Sequence, residues 1–454
     1  MTAALYAYAF LDEFVLLYPV YALLFADSGL SVGQISSLFV LWSLTGVLLE
    51  VPSGAWADAV SRRLLLWVGP LLGAAGFALW VLFPSYGAFA AGFVLWGARG
   101  ALGSGALEAL VYEELDRAGA ADRYARIMGR AHALGQVAVM AATGLAGPVF
   151  AAAGYPGVGA ASVLACLLCA ATATRFPEHR TPPPTAADSA TTDAHGTPDE
   201  IAVAGGGEVA VARGAHPGDG SSGGRGSGGG DDRCRGGGGG GDRGRGGGGR
   251  AWSPRAGCAW LARVTGLTGL TGLTGVRRDR ALLGALLLVP AVTAVWGALD
   301  EYTALLVRET GVPDPGVPYL LMVIWAGVTA GSLVSGRAER LGPTGLAALL
   351  AGSALALAAG ALTGAPAGVA LVALGFGGFQ AATVLADVRL QQRIGDGARA
   401  TLTSVAGLGT ELVTIAVYGV YGVLGARFPH GTVFALCAVP YLITALAVAR
   451  GRRR

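Results

Sequence analysis

Long apolar runs separated by short polar connections dominate this chain. Six runs fill its first part, and six more with similar spacing follow a long interruption. Each run is close to or above the roughly 20 residues that a helix needs to cross a bilayer, so the pattern predicts twelve transmembrane helices. The predicted spans, numbered 1 to 12 in this order, cover residues 4–26, 33–55, 63–83, 87–112, 127–153, 156–176, 281–307, 316–335, 341–362, 366–388, 400–426 and 431–449.

The pattern divides the chain into three parts and predicts an all-α integral membrane fold. Residues 1–176 form an N-terminal half of six helices, and residues 281–454 form a C-terminal half of six. Between them, residues 177–280 include GGRGSGGGDDRCRGGGGGGDRGRGGGGR, a composition that cannot bury a core and predicts a disordered linker. A nucleic-acid-binding arm is the weaker interpretation of this segment, because acids are interspersed and aromatic residues are absent there. We therefore predict no nucleic-acid partner.

The composition supports a membrane protein and excludes several kinds of chemistry. Hydrophobic residues make up 53% of the chain and charged residues only 13%, whereas soluble proteins carry about 25% charged residues. All 32 basic residues are arginine, so lysine-dependent catalysis has no residue to use. The sequence lacks a nucleotide-binding glycine loop with its lysine, an H-E-x-x-H motif and a metal-ligand cluster. We predict no enzyme activity, no cofactor and no metal.

The distribution of arginine predicts the orientation. Nineteen arginines lie at the termini, the linker edges and the short loops of one face, whereas only Arg308 and Arg427 lie on the other. The positive-inside rule then places both termini and the linker in the cytoplasm of a cell that carries the protein in its plasma membrane. The first apolar run has no basic region or cleavage site before it, so we expect it to be retained as a span.

Two acidic pairs interrupt spans 1 and 7, namely Asp12-Glu13 in FLDEF and Asp300-Glu301 in ALDEY. Adjacent residues point about 100° apart on a helix, so Asp12 and Glu13 cannot both face a cavity squarely. Aligning the loops that follow the two spans through Gly29 and Gly311 puts the second pair six residues, or about 9 Å, further along its span. The two pairs are therefore not symmetry copies. Hydration of a wide vestibule is the alternative role for all four acids.

A loop motif resembles the major facilitator superfamily of transporters. What we call the gate motif comprises Gly54, Asp58, Arg62 and Arg63 after span 2, with a second-half copy at Glu339, Arg340 and Gly342. Ala59 and Ser61 replace a basic residue and a glycine of the family pattern, and Ser335 replaces the first glycine of the second copy. The resemblance implies that Asp58 holds neighbouring helix ends together in one conformation. A polar turn followed by cytoplasmic arginines is the alternative.

Span 4 carries a closer resemblance, to the proton-coupled drug antiporters of that family. Its run LWGARGALGSGAL has Leu95, Arg99, Gly103 and Gly105 at the antiporter spacing, with Leu102 where glutamine is usual. A guanidinium halfway along a span costs at least about 2.5 kcal/mol unless it is paired or hydrated. The family places spans 1, 4, 7 and 10 around a central cavity, so the acids of span 1 are the expected partners. Gly147-Pro148 in span 5 partly matches a further antiporter motif.

The resemblance implies a secondary transporter, and proton-coupled efflux of small lipophilic or cationic molecules is the function that it favours. Uptake of a nutrient or metabolite and, less favoured, a non-transporting receptor are the alternatives. The residues predicted for the proton and substrate cavity are Asp12, Glu13, Arg99, Glu108, Asp300, Glu301, Gln380 and Glu411. Because Glu108 follows Arg99 by nine residues, a continuous helix places the two on opposite faces. We expect a monomer whose partners are lipid, a small-molecule substrate and protons.

Overall fold

The computed structural model describes residues 1–59, 61–103, 105–177, 280–338, 341–394 and 399–450. In the N-terminal half the α-helices are α1 (Thr2–Glu13), α2 (Tyr21–Asp27), α3 (Val32–Ala59), α4 (Arg62–Leu82), α5 (Tyr86–Gly103), α6 (Ala106–Arg117) and α7 (Tyr124–Ala173). In the C-terminal half they are α8 (Arg280–Asp300), α9 (Thr303–Glu309), α10 (Val317–Ala338), α11 (Pro343–Leu362), α12 (Gly368–Gln391), α13 (Arg399–Gly425), α14 (His430–Cys437) and α15 (Val439–Arg450). The described ranges contain no strand, so the all-α fold is confirmed. The predicted linker, apart from its first and last residues, lies outside them.

The long helices follow the predicted spans. Within the described ranges, nine helical segments are long and apolar enough to cross a membrane. One of these contains α7, which holds both span 5 and span 6 and bends between them at Gly154. Gly154 has a φ of 60°, a left-handed conformation that glycine adopts without steric penalty.

Four predicted spans are interrupted, which hydropathy alone does not predict. Span 1 is interrupted between α1 and α2, span 4 between α5 and α6, span 7 between α8 and α9, and span 12 at Ala438 between α14 and α15. Gly105, at the break of span 4, has a φ of 72°. Each break leaves helix-end carbonyl groups without intrahelical partners, so other groups have to satisfy them. The short helices α2 and α9 lead into Gly29 and Gly311, with φ values of 85° and 84°, which supports the predicted alignment of spans 1 and 7.

The two halves meet at one end of the bundle. We call the end where the chain begins and ends the terminal face, and the opposite end the distal face. At the distal face α3 crosses α13 so closely that a Cβ on Gly422 would lie 2.9 Å from the Cβ of Ser36. At a second crossing, of α7 with the segment leading into α10, a Cβ on Gly147 would lie 2.7 Å from the Pro315 carbonyl oxygen. The Tyr302 hydroxyl donates to Ser36 Oγ across the same end, at 2.7 Å.

An ionic network also joins the halves at the distal face. The Arg308 guanidinium lies 2.5 Å from an Asp27 carboxylate oxygen and 3.1 Å from one of Asp314. The Tyr155 hydroxyl donates to the other Asp27 oxygen at 2.6 Å. Burial lowers the pKa of Arg308, but the hydrogen bond and charge of Asp27 and the charge of Asp314 outweigh it and raise the pKa overall. Arg308 therefore stays charged, and the network, which we call the distal latch, stabilises contact between the halves.

We expect Arg308→Gln to shift the protein modestly toward a conformation that is open at the distal face. The Arg308 and Asp27 side chains are 35% and 32% exposed, and pairs near water contribute only about 0.2–1 kcal/mol. Spin labels at the exposed positions Ser31 and Arg427, one in each half, would report longer distances. Arg126→Gln, which changes an exposed arginine at the terminal face, is the control. Unchanged distances in the Arg308 variant would show that the latch contributes nothing.

Candidate functional site

Arg99 pairs with Asp12, which lies one residue before the end of α1 at the break in span 1. Its Nη2 donates to an Asp12 carboxylate oxygen at 2.5 Å and to the Asp12 main-chain oxygen at 2.8 Å. Asp12 is the penultimate residue of α1, so its carbonyl is one of those that the helix cannot satisfy itself. Arg99 is only 8% exposed. One guanidinium thus neutralises a carboxylate and caps a broken helix, which explains how a charge is tolerated at this depth.

Two glycines of α4 leave the space that Arg99 occupies. A Cβ on Gly73 would lie 3.0 Å from Arg99 Nη1 and 3.1 Å from its Cδ, whereas a Cβ on Gly69 would lie 3.7 Å from its Cγ. The first contact is tighter than side chains normally make, and the second is an ordinary van der Waals distance. Gly73 therefore sets the position of the guanidinium, and Gly69 does not.

Gly73→Ala is expected to reduce pH-driven transport several-fold, because the added methyl group displaces the guanidinium from Asp12. Overpacking of this kind costs about 1–3 kcal/mol. Gly69→Ala is the matched control, since its methyl group fits, and it should stay within about twofold of the wild type. Initial rates in vesicles with matched expression would measure both. Equal rates in the two variants would contradict a positioning role for Gly73.

A cavity of about 300 Å³ lies within the N-terminal half, and we call it the N-half cavity. Its polar and charged lining residues are Tyr8, Asp12, Glu13, Arg99, Glu108, His132 and Gln136. Two buried polar atoms of these residues, Arg99 Nη1 and Glu108 Oε2, have no hydrogen-bond partner. The prediction that Arg99 and Glu108 lie on opposite faces assumed that span 4 is one continuous helix. Span 4 is broken between α5 and α6, and both residues line this cavity.

A second cavity of about 280 Å³ lies between the halves, and we call it the inter-half cavity. It is lined by Glu13, Tyr18, Pro19, Tyr21, Ala22, Trp42, Trp96, Asp300, Glu301, Thr303, Ala304, Leu321 and Trp325. Three of these side chains are carboxylic acids, and none of them is arginine, lysine or histidine. Two helices, α1 and α8, end at this cavity with Glu13 and Asp300 as their last residues. Their C-terminal ends add about half a negative charge each.

Stacked aromatic rings form one wall of the inter-half cavity. The Trp96 ring stacks on Trp42 with centroids 4.9 Å apart and on Tyr18 with centroids 5.2 Å apart, both at an interplanar angle of 18°. The Trp325 indole nitrogen donates to an Asp300 carboxylate oxygen at 3.4 Å. Sequence reasoning missed the three tryptophans and Thr303, because aromatic residues in apolar runs fit membrane packing equally well. Their spacing gave no indication that they converge.

Among the described residues, Glu13 is the one whose side chain lines both cavities. It packs against α7, where a Cβ on Gly135 would lie 3.3 Å from Glu13 Cγ. Its neighbour Asp12 turns toward Arg99 instead. The two adjacent acids of span 1 therefore face different ways. Asp12 pairs with Arg99, whereas Glu13 lines both cavities.

The other predicted residues do not join these cavities. Gln380 Nε2 donates to Ser332 Oγ at 3.0 Å, and neither Gln380 nor the half-buried Glu411 is among the lining residues. In the C-terminal half the position equivalent to Asp12 is Ala294, and the nearby hydrogen bond of Trp296 to Thr383 is neutral.

The gate motif is described only in part. Arg62 forms an ion pair with Glu113, and Arg63 donates to the Thr174 carbonyl oxygen at 2.6 Å. These contacts tie α4 to α6 and to the end of α7 at the terminal face. Gly342 precedes α11. The side chains of Gly54 and Asp58, and residues Glu339 and Arg340, lie outside the described part of the chain, so the role predicted for Asp58 stays a prediction.

A helical bundle with broken central spans, closed at one end and holding a cavity between two halves, is the architecture of a secondary transporter. The family model of the Major Facilitator Superfamily matches residues 2–417. The chain belongs to this superfamily, as the sequence motifs indicated. No curated protein sequence matches the chain.

Solved structures with the same fold include two transporters of different substrates. The nucleoside transporter NupG has 12% sequence identity and a TM-score of 0.66, over 99% of this chain and 98% of that one. The POT family transporter PepTSo has 11% identity and a TM-score of 0.61, over 100% of this chain and 97% of that one. At such low identity these likenesses establish the fold alone, and the cavity chemistry has to indicate the substrate.

Proposed function

We propose that this transporter exchanges protons for organic cations that carry a flat apolar ring system, and exports them. The observation that supports the proposal is the composition of the inter-half cavity, which combines three carboxylic acids with a stacked aromatic wall and no basic side chain. Transport across the plasma membrane by a monomer, with both termini cytoplasmic, completes the proposal.

The charges of the cavity favour a cation over an anion or a neutral solute. Glu13, Asp300 and Glu301 lie at the C-terminal ends of two broken helices, where the helix dipoles also favour positive charge. An aromatic face within about 6 Å of a cation contributes about 0.5–2 kcal/mol further. Three stacked rings, of Trp42, Trp96 and Tyr18, offer an extended apolar surface that suits a ring system rather than a small ammonium ion.

The closed distal face fits one step of an export cycle. On the predicted orientation the terminal face is cytoplasmic, so a protein closed at the distal face receives substrate from the cytoplasm. Release then requires the distal contacts to open and the terminal face to close. Protons entering from outside would displace the cation from the acids, and their return to the cytoplasm would reset the site.

Efflux assayed in inverted vesicles with an imposed pH gradient tests the proposal, with ethidium as the flat aromatic cation. Trp96→Ala and Glu301→Gln should each weaken ethidium binding by about tenfold or more, which corresponds to about 1.4 kcal/mol. Trp67→Ala, a partly exposed tryptophan of α4 outside both cavities, is the control. Absence of pH-driven ethidium transport by the wild type, together with unchanged binding in Trp96→Ala, would contradict the proposal.

Uptake of a nucleoside-like solute is the second candidate function. NupG, a nucleoside transporter, shares the fold, and an aromatic wall beside carboxylates suits a base stacked on tryptophan with sugar hydroxyls bonded to the acids. The two functions separate by charge. A nucleoside that competes with ethidium, and that accumulates in right-side-out vesicles when the outside is acidic, would favour uptake over export.

A further inference from the structure

We propose that the N-half cavity is the proton-exit compartment of this transporter, and that Glu13 passes protons to Glu108 within it. The inference rests on the proposed proton coupling and adds a residue and a route to it. It starts from the separation of the two cavities, whose described lining residues have only the Glu13 side chain in common. A carboxylate reached from two sides can hold a proton from one and a cation from the other.

Unpartnered buried polar atoms show that the N-half cavity is a place for water. Arg99 is only 8% exposed and leaves Nη1 without a partner, and Glu108 leaves Oε2 without one. An orphaned buried donor or acceptor costs about 1–3 kcal/mol. A cavity of about 300 Å³ has room for several water molecules that satisfy both atoms. A water chain of this kind conducts protons and excludes a large organic cation.

The break in span 4 gives Glu108 its position. Gly105, with a φ of 72°, ends the straight course of α5, and Glu108 follows in the first turn of α6. The negative charge of a carboxylate is favoured at a helix N-terminus, which helps to hold the Glu108 side chain at this end of the cavity. Glu108 lies toward the terminal face relative to Arg99, whereas Glu13 lies at the boundary with the inter-half cavity.

The charged and titratable groups around the route are few. Arg99 and Asp12 form a neutral pair beside Glu13, and His132 of α7 lines the same cavity. Tyr124 of α7 interacts electrostatically with Glu108. Asp300 and Glu301 face Glu13 from the inter-half cavity. A cation bound there by these acids favours the charged form of Glu13, and its departure favours the protonated form, which links the two cavities.

The proton transfer breaks one O–H bond and forms another. An O–H bond of protonated Glu13 breaks, a proton passes along intervening water, and an O–H bond forms on Glu108. Glu108 then loses its proton to water at the terminal face and becomes a carboxylate again, and Glu13 is left as a carboxylate that can hold the next cation. No other group changes its bonding, so the step needs no co-reactant.

Three measurements on reconstituted protein test the route, with ethidium as the probe. Glu108→Gln should slow pH-driven ethidium transport by about tenfold or more, as loss of a proton-transfer group does. Ethidium-for-ethidium exchange and equilibrium ethidium binding should both stay within about twofold of the wild type, because neither needs a proton to pass Glu108. Glu108→Asp should recover part of the pH-driven rate. Asp122→Asn, an acid of the same face outside both cavities, should behave as the wild type.

Two results would overturn the route. An undiminished pH-driven rate in Glu108→Gln shows that protons leave Glu13 another way. Parallel loss of exchange and binding in that variant shows that Glu108 supports the fold or the substrate path. Failure of the proposed function looks different, because the wild type itself would then show no pH-driven transport of ethidium.

Discussion

Replacing Arg99 by alanine is expected to abolish pH-driven transport, with a loss of about a hundredfold or more, or about 2.7 kcal/mol. The substitution leaves the Asp12 carboxylate without its partner and the end of α1 without its cap. Asp12 is then a partly buried acid without its counter-charge, and the α1 end rearranges beside Glu13. Exchange of substrate for substrate, which needs no net proton movement, should survive in part. Initial rates of both processes in the same vesicles would measure the difference.

The companion variants make this prediction specific to the pair. Asp12→Asn should be as damaging as Arg99→Ala, and the double variant should be no worse than either, since members of one coupled pair are not additive. Arg99→Lys should not restore transport, because its shorter, non-planar head group cannot serve both acceptors at once. Losses that simply add in the double variant would show that Arg99 and Asp12 act separately.

Gly422→Val is expected to prevent closure of the distal face and to reduce transport by about tenfold or more. Its Cβ alone would lie 2.9 Å from the Cβ of Ser36, and valine adds two methyl groups beyond it. Overpacking costs about 1–3 kcal/mol, enough to shift a two-state equilibrium by about 5- to 150-fold. Spin labels at Ser31 and Arg427 should therefore report an open distal face as the major state.

Gly419→Val is the matched control, one turn earlier on the same helix. A Cβ there meets nothing within 4 Å, so the side chain fits without moving either half. Both variants lose the same glycine flexibility and gain the same β-branched residue, so any difference between them reports the helix crossing. Equal spin-label distances in the two variants would show that the crossing does not control closure.

Hydropathy predicted most of the fold, because crossing a bilayer imposes a length and an apolar composition on every span. The predicted span 3, residues 63–83, is α4 over Arg62–Leu82, and the predicted span 10, residues 366–388, is α12 over Gly368–Gln391. The breaks in spans 1, 4 and 7 escaped prediction because a window average passes over short irregular segments, of two residues in spans 4 and 7 and seven in span 1. Those irregular residues nevertheless decide which side chains reach a cavity.

The site was predictable where a charged side chain inside the membrane required a partner of opposite charge. Arg99 demanded an acid, and span 1 offered two. Arg99 also binds the Asp12 main-chain carbonyl, which is left free because α1 ends there. The sequence did not show this break, so it could not select Asp12 over Glu13. Glu108 was predicted for the cavity, but a continuous span 4 placed it on the face opposite Arg99 for the same reason. The tryptophans of the aromatic wall were beyond sequence reasoning, since Trp42 and Trp96 come from two different helices.

The presence of Glu13 in the walls of both cavities fixes how the membrane voltage acts on the proposed cycle. One carboxylate that holds either a proton or a monovalent cation exchanges them one for one, so no net charge crosses the membrane. A neutral solute exchanged for a proton would instead move one charge per cycle, worth about 2.3 kcal/mol per 100 mV. Ethidium export should accordingly follow the pH difference alone and stay unchanged when potassium and valinomycin clamp the voltage at zero.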